Sequence, residues 1–380
     1  MPEISVVMPC LNEEKTIGIC IKKAQKGLKI NNLSGEIIVA DNGSIDKSIE
    51  IAKSLGAKII YQPKKGYGNA YHAGIAAAQG KYIIMGDSDN TYDFLIINSF
   101  IEPLRAGYDM VIGDRFAKKM QKKAMPFSHR YIGNPILSAI LRILFKVKVK
   151  DAHCGLRSFT REAYNKLNLK TEGMEYASEM IMAAARENLK IKELPIEYGI
   201  REGESKLETF KDGWRHLKFM LIMSPSYLFL APGLILTIFG LILVIWMTFG
   251  PIKLGAITLD IHPMFLGALL TITGFQIISF GLFVKTYAYA EGLISKDRTH
   301  DFSEKYISLE SMLKLGFTIL FLGILLGIYV FYTWYQVSFG ELYEIRKSLT
   351  SMILIILGLQ VIFSAFFYGI LDINLNKDSQ

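Results

Sequence analysis

The sequence predicts an α/β domain with a mostly parallel sheet, followed by an α-helical membrane domain. Two observations support this class. Residues 1–225 mix charged side chains with short apolar runs that alternate with helical patterns, as in a parallel sheet with helices on both faces. After about Tyr227 the chain contains four long apolar segments, each near the roughly 20 residues that span a bilayer. The 380 residues suffice for both domains, and 51% of them are hydrophobic.

The first domain is expected to contain five strands with helices between them. The strands are expected over residues 4–9, 36–40, 58–62, 81–86 and 109–113. The helices are expected from about Glu13 to Leu28, from about Asp46 with Ser44 as its cap, from about Asn69 to Gln79, and after Asp93. Ser44 and Asp93 have the short polar side chains that cap helices, and an apolar run, Phe94-Leu95-Ile96, follows Asp93.

Four membrane helices are expected, near residues 228–249, 263–286, 313–334 and 351–371. The chain is accordingly divided into a first domain over 1–210, an amphipathic interfacial helix or linker over 211–226, a membrane domain over 227–372 and a tail over 373–380. Inside the spans the sequence offers Gln276 and little else that is polar, so a pore is not expected. Anchoring, homo-oligomerisation and presentation of a lipid are the expected uses of these helices.

The first domain and both termini are expected in the cytoplasm. The N-terminus lacks the basic segment and long apolar run of a signal peptide. The loop between the second and third spans carries three Lys and Arg residues, whereas the loop over 250–262 carries Lys253 alone, and basic loops favour the cytoplasmic side. Arg346 and Lys347, in the last outer loop, weaken this asymmetry.

The cysteines and the net charge each exclude one class of function. Cys10, Cys20 and Cys154 form no CxxC pair, so they are interpreted as buried thiols and not as disulfides or metal ligands. The formal net charge is +8. In a membrane protein this charge favours attraction to anionic lipid headgroups over binding of nucleic acid.

Polar residues follow each of the five predicted strands. They are Asn12 and Glu13 after the first strand, Asp41 and Asn42 after the second, residues 64–70 after the third, Asp87 and Asp89 after the fourth, and Asp114 and Arg115 after the fifth. Parallel sheets bind ligands at the carboxyl ends of their strands. Five polar strand ends together therefore predict a binding site at this edge.

Asp87 and Asp89 are the candidate metal ligands. An isolated Asp-x-Asp is most often a solvated turn, but here the other strand ends point to a shared site. Two carboxylates suit Mg²⁺ or Mn²⁺, which binds a few carboxylates together with substrate phosphates. The sequence therefore predicts a divalent cation that neutralises a diphosphate.

The stretch GYGNA, residues 66–70, has two interpretations. Gly66 and Gly68 open a helix, so their amides could face a phosphate, or they could form a flexible turn. The dinucleotide fingerprint G-x-G-x-x-G does not follow the first strand, which disfavours a nicotinamide oxidoreductase.

Two basic segments lie downstream. Residues 128–151 combine Arg130 and Asn134 with an apolar helical face and a lysine-rich end, which fits a helix lying on a membrane or an ordinary core-packing helix. Residues 198–223 carry a polar loop and then an amphipathic helix. That loop fits capture of an anionic headgroup or a basic flank of the first span. Its candidate anion ligands are Arg201, Ser205 and Lys206.

The motifs SVVMPCLNEE, VADNGSID, GDSD, GDRF, DAHCGLRSF and ELPIEYGIREGESKL resemble, in order and spacing, the family 2 glycosyltransferases. More narrowly they resemble the dolichyl-phosphate mannose or glucose synthase group, over residues 1–210. The resemblance implies a GT-A fold, a nucleotide-sugar donor, Mg²⁺ or Mn²⁺, and a polyprenyl (dolichyl) phosphate acceptor.

The resemblance, together with the interpretation of the individual motifs, assigns expected functions to individual residues. The nucleotide is expected at Pro9, Asn12, Glu13, Asp41, Gly66, Gly68 and Asp87. The acceptor phosphate is expected at Arg115, Arg130, Asn134, Arg201, Ser205 and Lys206. Asp87, Asp89, Arg115 and Glu179 are the candidate catalytic residues. The chain has Asp41-Asn42 where the family often has two aspartates, and Asn90-Thr91 where it often has Leu-Gln, so the usual glutamine ligand is missing.

The expected reaction moves one hexose from UDP-glucose or GDP-mannose to the lipid phosphate with inversion. Glu179 either orients the acceptor or pairs with a nearby basic side chain. Two alternatives remain. A processive polysaccharide synthase would carry a Gln-x-x-Arg-Trp motif, and this chain has Trp214-Arg215 in the opposite order. A membrane protein that senses nucleotides without catalysis is the other.

Overall fold

The computed structural model describes residues 2–118, 120–121, 124–202, 209–254, 257–292, 294, 308–341 and 343–377. The chain forms two compact units, and the boundary between them lies between Met220 and Leu221. The first unit contains a sheet with helices, and the second contains the long apolar helices.

The first unit contains seven strands and eight helices among its described residues. The strands are β1 (Ile4–Cys10), β2 (Gly35–Asp41), β3 (Lys58–Tyr61), β4 (Tyr82–Met85), β5 (Met110–Asp114), β6 (Arg157–Thr160) and β7 (Ile191–Pro195). The helices are α1 (Ile17–Ile30), α2 (Ser48–Ser54), α3 (Tyr67–Ala76), α4 (Ile97–Arg105), α5 (Asn134–Phe145), α6 (Arg161–Leu167), α7 (Tyr176–Arg186) and α8 (Thr209–Ile222, which ends across the unit boundary). A 3₁₀ turn, Phe94–Ile96, precedes α4, and a π-helical turn, His129–Gly133, precedes α5.

The seven strands form one mixed sheet of order β3-β2-β1-β4-β6-β5-β7. All of its pairings are parallel except those of β6, which runs antiparallel to β4 and β5. Ile4, Val6, Val7 and Met8 of the central strand β1 are fully buried. Side chains on both faces of β1 are thus covered, as in a sheet between two layers of helices. The predicted α/β class with a mostly parallel sheet is confirmed.

Strands β6 and β7 were not predicted from the sequence. β6 has no apolar alternation, because Arg157 and Ser158 are both fully buried in it. The Arg157 guanidinium donates to three backbone carbonyl oxygens at 2.7–2.8 Å, and Ser158 Oγ donates to the Phe100 carbonyl at 2.9 Å. Buried polar groups are tolerated when they are hydrogen-bonded. A search for apolar runs or apolar alternation therefore does not detect this strand.

One predicted helix cap is wrong and another is confirmed. α2 begins at Ser48 and not at Asp46, and Ser44 does not cap it, since Ser44 Oγ accepts the Asn12 backbone N–H at 3.0 Å. Ser44 therefore joins two loops. Asp93 does cap the 3₁₀ turn before α4, because its carboxylate accepts the Leu95 backbone N–H at 3.1 Å.

Helix α5 exposes part of its apolar face. Ser138 and Leu141 are its buried residues, whereas Ile136 and Ile143 are more than half exposed. Lys146, in the left-handed conformation, ends the helix. Of the two interpretations of this segment, an ordinary core-packing helix does not account for the exposed isoleucines.

In the second unit, four described helices are long and apolar enough to cross a membrane, as predicted. The helices are α9 (Ala231–Thr248, preceded by the π-helical turn Ser226–Leu230), α10 (His262–Ala290), α11 (Leu309–Gln336) and α12 (Ile345–Lys377). A short hairpin of β8 (Ile252–Leu254) and β9 (Ile257–Leu259) connects α9 to α10.

Small residues allow the membrane helices to pack in close pairs. A Cβ added to Gly240 of α9 would lie 2.5 Å from the Thr271 backbone nitrogen of α10, and one added to Gly358 of α12 would lie 2.6 Å from the Leu320 nitrogen of α11. Side chains at these positions would separate the helices. Close backbone approach at glycine is a common basis of helix association in membranes.

The interior of the spans is more polar than the sequence suggested. Gln276 was noted there, but Gln360 of α12 was missed, because one amide in a long apolar segment hardly changes its average hydropathy. Both glutamines line a groove of about 370 Å³ between α10 and α12, together with Ser279 and Ser364. Within the described part of the chain, Gln360 Oε1 is buried without a hydrogen-bond partner.

Candidate active site

The loops that follow β1, β2 and β4 lie side by side, because these strands are neighbours in the sheet. Ser88 Oγ donates to the Pro9 carbonyl oxygen at 2.6 Å, which joins the β4 loop to β1. The Ile45 backbone N–H donates to Asn12 Oδ1 at 2.8 Å, which joins the β1 and β2 loops. The structure therefore forms the predicted carboxyl edge and places Pro9 and Asn12 in it.

Two strand-end aspartates stabilise their own turns. Asp41, at the end of β2, is 5% exposed and accepts the Ser44 backbone N–H at 3.0 Å. Asp114, at the end of β5, accepts the backbone N–H groups of Phe116 and Ala117 at 2.9 and 3.1 Å. Polar strand ends thus also serve the turns, so position at a strand end alone does not identify a ligand-binding residue.

Asp87 lies against two phenols that were not predicted from the sequence, the half-buried Tyr67 and the buried Tyr71. Tyr67 Oη and Tyr71 Oη lie 3.0 and 3.4 Å from its Oδ1. Burial, and then the neighbouring Asp89 carboxylate, raise the pKa of Asp87 to about 6, and the Tyr67 hydrogen bond opposes this shift. The signal was available in the sequence, since Tyr67 and Tyr71 are four residues apart and therefore share one face of α3.

Asp89 has one oxygen held by its own loop and one that faces a cation. Its Oδ1 accepts the backbone N–H and the hydroxyl of Thr91 at 3.1 and 2.5 Å. Its Oδ2 lies 3.3 Å from Nη1 of Arg201, and Nη2 of Arg201 lies 3.2 Å from Glu13 Oε1. The structure therefore brings together three predicted residues, Glu13, Asp89 and Arg201, from distant parts of the chain.

The residues at this edge fit a divalent cation. Asp89 is buried and Asp87 is half-buried, and burial together with the neighbouring Asp89 carboxylate raises the pKa of Asp87. A guanidinium already lies against Asp89 Oδ2, so the position is one that a positive charge stabilises. Among the described residues, no third His, Cys, Asp or Glu completes a protein-only metal site. Two hard carboxylates would thus hold Mg²⁺ or Mn²⁺ together with substrate oxygens.

The two departures from the family pattern have local explanations. Asn42 donates from Nδ2 to the carbonyls of Gln62 and Lys64 at 2.9 and 2.8 Å, and its Oδ1 accepts the Gly66 N–H at 2.7 Å. An aspartate could not donate these two bonds. The second departure is Asn90-Thr91 in place of Leu-Gln. The Asn90 side-chain oxygen accepts a hydrogen bond from Lys23 Nζ at 2.8 Å, and the Asn90 backbone is left-handed, with a φ of 62°.

Gly66 and Gly68 pack against backbone. A Cβ on Gly66 would lie 2.2 Å from the Glu172 carbonyl oxygen, and one on Gly68 would lie 2.4 Å from the Thr171 carbonyl oxygen. Since the Gly66 amide is also bonded to Asn42, it is not directed at a ligand in this structure. Close packing of α3 on the 171–172 loop accounts for both glycines.

Glu179 holds the 171–172 loop through hydrogen bonds to the backbone. Its carboxylate accepts the backbone N–H groups of Lys170 and Thr171 at 2.9 and 2.8 Å, and the Thr171 hydroxyl at 2.6 Å. Of the two interpretations of Glu179, pairing with a basic side chain is replaced by these three hydrogen bonds, and orientation of the acceptor stays a prediction. Glu179 thus positions the loop that packs on α3.

Arg115 forms a bidentate ion pair with the Asp151 carboxylate. Its Nε and Nη2 donate to Asp151 at 2.7 and 2.8 Å, and its backbone N–H donates to the same side chain at 3.1 Å. Both side chains are buried, and the guanidinium lies over the Tyr198 ring at 5.2 Å. The predicted phosphate ligand is therefore already neutralised by a bidentate partner.

The remaining candidates of the acceptor site are not brought to the carboxylates by any described contact. Arg130 stacks on the Tyr131 ring at 5.2 Å, and Asn134 Nδ2 lies 3.4 Å from Met125 Sδ. Arg130 lies in the π-helical turn before α5, and Asn134 is the first residue of α5. Ser205 and Lys206 lie outside the described residues.

Comparison with known proteins identifies the family. Residues 5–167 match the glycosyl transferase family 2, and residues 282–372 match the glycosyltransferase family 2 C-terminal transmembrane region. The low-salt glycan biosynthesis hexosyltransferase Agl6 of Haloferax volcanii is 39% identical over 97% of this chain and 89% of its own length. The chain belongs to the family 2 glycosyltransferases. It is a membrane glycosyltransferase with a GT-A domain.

Two further likenesses each cover a little more than half of this glycosyltransferase. A dolichyl-phosphate hexose transferase of Haloferax volcanii is 32% identical over 56% of the chain and 89% of its own length. The crystal structure of glucosyl-3-phosphoglycerate synthase from Mycobacterium tuberculosis with Mn²⁺, UDP and glucosyl-3-phosphoglycerate covers 58% of this chain and 79% of that one, with a TM-score of 0.47 and 22% identity.

Proposed function

We propose that this glycosyltransferase moves one hexose from UDP-glucose or GDP-mannose to a polyprenyl (dolichyl) phosphate, with inversion at the anomeric carbon. The observation that carries the proposal is the juxtaposition of Asp87, Asp89 and Arg201 at the carboxyl edge of the sheet. A membrane domain in the same chain suits a lipid acceptor, and the dolichyl-phosphate hexose transferase relative supports this class.

The donor is assigned to the edge formed by β1, β2 and β4. Asn12, Glu13 and Asp41 would contact the nucleoside, and Asp87 and Asp89 would hold the metal. The divalent ion, when bound, supplies positive charge to the donor diphosphate. The Tyr67 and Tyr71 phenols fix the Asp87 carboxylate, and Thr91 fixes that of Asp89, so neither must reorganise when the donor binds.

The acceptor phosphate is assigned to the basic and polar side chains that the sequence predicts for it. A phosphate monoester has a second pKa near ~6, so the attacking oxygen is already largely ionised at neutral pH and needs no strong general base. The enzyme must instead bring two anions together. Arg201 and Arg130 would bind the lipid phosphate, with Asn134, Ser205 and Lys206 as further proposed ligands. Arg115 is paired with Asp151 and is therefore left out of the proposed phosphate ligands.

Membrane lipid is the proposed partner of the exposed apolar surface around α5. Phe127, Tyr131, Ile136 and Ile143 are all more than half exposed, and a lysine-rich stretch follows the helix. Apolar side chains beside lysines are typical of an interfacial helix. We propose that residues 1–210 form the cytoplasmic catalytic domain, that 211–226 lie at the interface, and that both termini are cytoplasmic.

The test is a transfer assay on the purified chain in detergent, with radiolabelled UDP-glucose or GDP-mannose, Mn²⁺ and a polyprenyl phosphate. A lipid carrying one sugar is expected. Asp89→Asn should abolish the product, whereas the matched control Asp93→Asn, at a helix cap, should retain it. A polymeric product would indicate a polysaccharide synthase. Nucleotide binding without turnover on any lipid phosphate would indicate a sensor.

A further inference from the structure

Arg201 is the one described cation that bridges two of the predicted donor-site carboxylates. Its Nη1 lies 3.3 Å from Asp89 Oδ2, and its Nη2 lies 3.2 Å from Glu13 Oε1. The three side chains are only 7–24% exposed, so solvent screens them weakly. Because Thr91 occupies Asp89 Oδ1, the oxygen that faces Arg201 is the one that remains for a metal.

We propose that Arg201 holds, in the ligand-free enzyme, the place beside Asp89 that the divalent cation takes when the donor binds. Arrival of metal and nucleotide sugar then displaces Arg201 and frees it for the acceptor phosphate. The proposal rests on the proposed function for the identity of donor and acceptor. It adds one side chain, Arg201, that links occupation of the metal site to binding of the acceptor phosphate.

Arg201 is carried by a segment that is fastened to the loop of Asp89. The Gly199 backbone N–H donates to the Thr91 carbonyl oxygen at 2.9 Å. Asn90 Nδ2 donates to Glu202 Oε1 at 3.1 Å. The rings of Tyr92 and Tyr198 are 5.4 Å apart. These contacts join the loop of Asp89 to residues 198–202, within the polar segment predicted to bind the acceptor.

The contacts of Arg201 are suited to exchange. Both ion-pair distances exceed the 2.7–2.9 Å of a strong charge-assisted hydrogen bond. Within the described residues, Arg201 Nε is buried and has no hydrogen-bond partner. A buried donor without a partner is costly. Phosphate oxygens satisfy several guanidinium N–H groups together, so a phosphate is a better partner for Arg201 than the two carboxylates.

The guanidinium and a divalent ion exclude each other at Asp89 Oδ2. Two positive charges within a few ångströms repel strongly where solvent screening is weak. Neutralising residue 201 should therefore strengthen metal binding. A residue that only braced the carboxylates would have the opposite effect, since its loss would disorder them.

The experiment measures Mn²⁺ binding to the full-length protein in detergent, without nucleotide, by titration with electron paramagnetic resonance. Arg201→Gln should bind Mn²⁺ more tightly, by on the order of fivefold or more. Arg201→Lys, which keeps the charge, should stay near the parent protein. Arg105→Gln is the matched control, because Arg105 pairs with Glu3 away from the site. Unchanged or weaker binding in Arg201→Gln would overturn the proposal.

The outcome separates this inference from the proposed function. Equal Mn²⁺ affinity in the parent protein and Arg201→Gln, together with normal sugar transfer by the parent, would refute the exchange and leave the enzyme assignment intact. Mn²⁺ binding to none of the proteins would refute both the exchange and the metal site. A second measurement is the affinity for a short polyprenyl phosphate. Mn²⁺ with UDP should raise it in the parent protein and not in Arg201→Gln.

Discussion

Arg115 and Arg201 both pair with aspartates near the carboxyl edge of the sheet, but the two pairs differ in kind. Arg115 and Asp151 are buried and joined by three hydrogen bonds of 2.7–3.1 Å. Arg201 is partly exposed, makes two longer contacts and leaves Nε without a described partner. We call Arg115–Asp151 the closed pair, because its hydrogen bonds are complete, and Arg201 with Asp89 and Glu13 the open pair. The closed pair is a structural contact, and the open pair is available for exchange with ligands. The charge of the two arginines and their positions in the sequence do not distinguish them. They differ in how many of their guanidinium N–H groups have a hydrogen-bond partner.

The largest effect is expected when the closed pair is broken. Asp151→Asn leaves the Arg115 guanidinium buried with a neutral partner, and removal of one member of a buried pair costs about 3–5 kcal/mol. Thermal unfolding of the purified protein, followed by intrinsic fluorescence, should show a large loss of stability. A change no larger than that of the control Glu3→Gln, at a partly exposed ion pair, would show that the Arg115–Asp151 pair is not structural.

A pH-dependent loss of stability is expected at another closed contact, between α7 and α8. Ser178 Oγ lies 2.8 Å from His216 Nδ1, and burial lowers the pKa of His216 to about 4. The groups that act on it are Asp212, Arg215 and Arg157, and the His153 ring lies 4.7 Å away. Since the unfolded state binds the proton more readily, stability should fall as the pH drops from about 6.5 to about 4.

The measurement compares the parent protein with His216→Gln, which cannot titrate in this range. The parent should lose more stability than the variant between pH 7 and pH 4.5, by on the order of 3 kcal/mol for a shift of this size. Parallel pH profiles for the two proteins would show that His216 does not contribute.

A smaller effect is expected from the phenols that fix Asp87. Tyr67→Phe removes a hydrogen bond to a charged group, worth about 1.5–3 kcal/mol, and Tyr71→Phe should cost less because its contact is longer. Both variants should weaken Mn²⁺ binding in that order, and the same titration used for Arg201 measures it. Tyr61→Phe, at an exposed residue, is the control.

The smallest effect on stability is expected at the open pair. Arg201→Gln should lower the free energy of unfolding by less than the roughly 3–5 kcal/mol expected for Asp151→Asn, because Arg201 is 24% exposed and its two contacts are longer. Its effect should be on ligand binding alone. A loss of stability as large as that of Asp151→Asn would erase the distinction between the two arginines.

The parts of the fold that the sequence revealed are those with local apolar patterns. β1 and β4 are buried apolar runs, and the four membrane helices are long ones, so each was predicted from its own residues. β6 could not be found in this way, because Arg157 and Ser158 are buried by hydrogen bonding to backbone. The cap assigned to Ser44 failed because a residue outside the helix uses its hydroxyl.

The site was predictable only in part for a related reason. Asp87 and Asp89 were found because strand ends of a parallel sheet share an edge. The contact of Arg201 with Asp89 joins segments more than a hundred positions apart in the sequence, so no local sequence pattern predicts it. The commitment of Arg115 to Asp151 and of Asn42 to the 62–66 loop likewise depends on tertiary contacts. Sequence named the right residue types but not their partners.

The three thiols have a practical consequence. Cys10, Cys20 and Cys154 are free and at most 2% exposed, and burial raises the pKa of each to about 11 or 12. At neutral pH the three thiols are protonated and buried, so they should react only slowly with alkylating reagents. The natural chain is thus a ready background for single introduced cysteines. A membrane-impermeant maleimide on Asp260→Cys in intact cells would report which side of the bilayer that loop occupies.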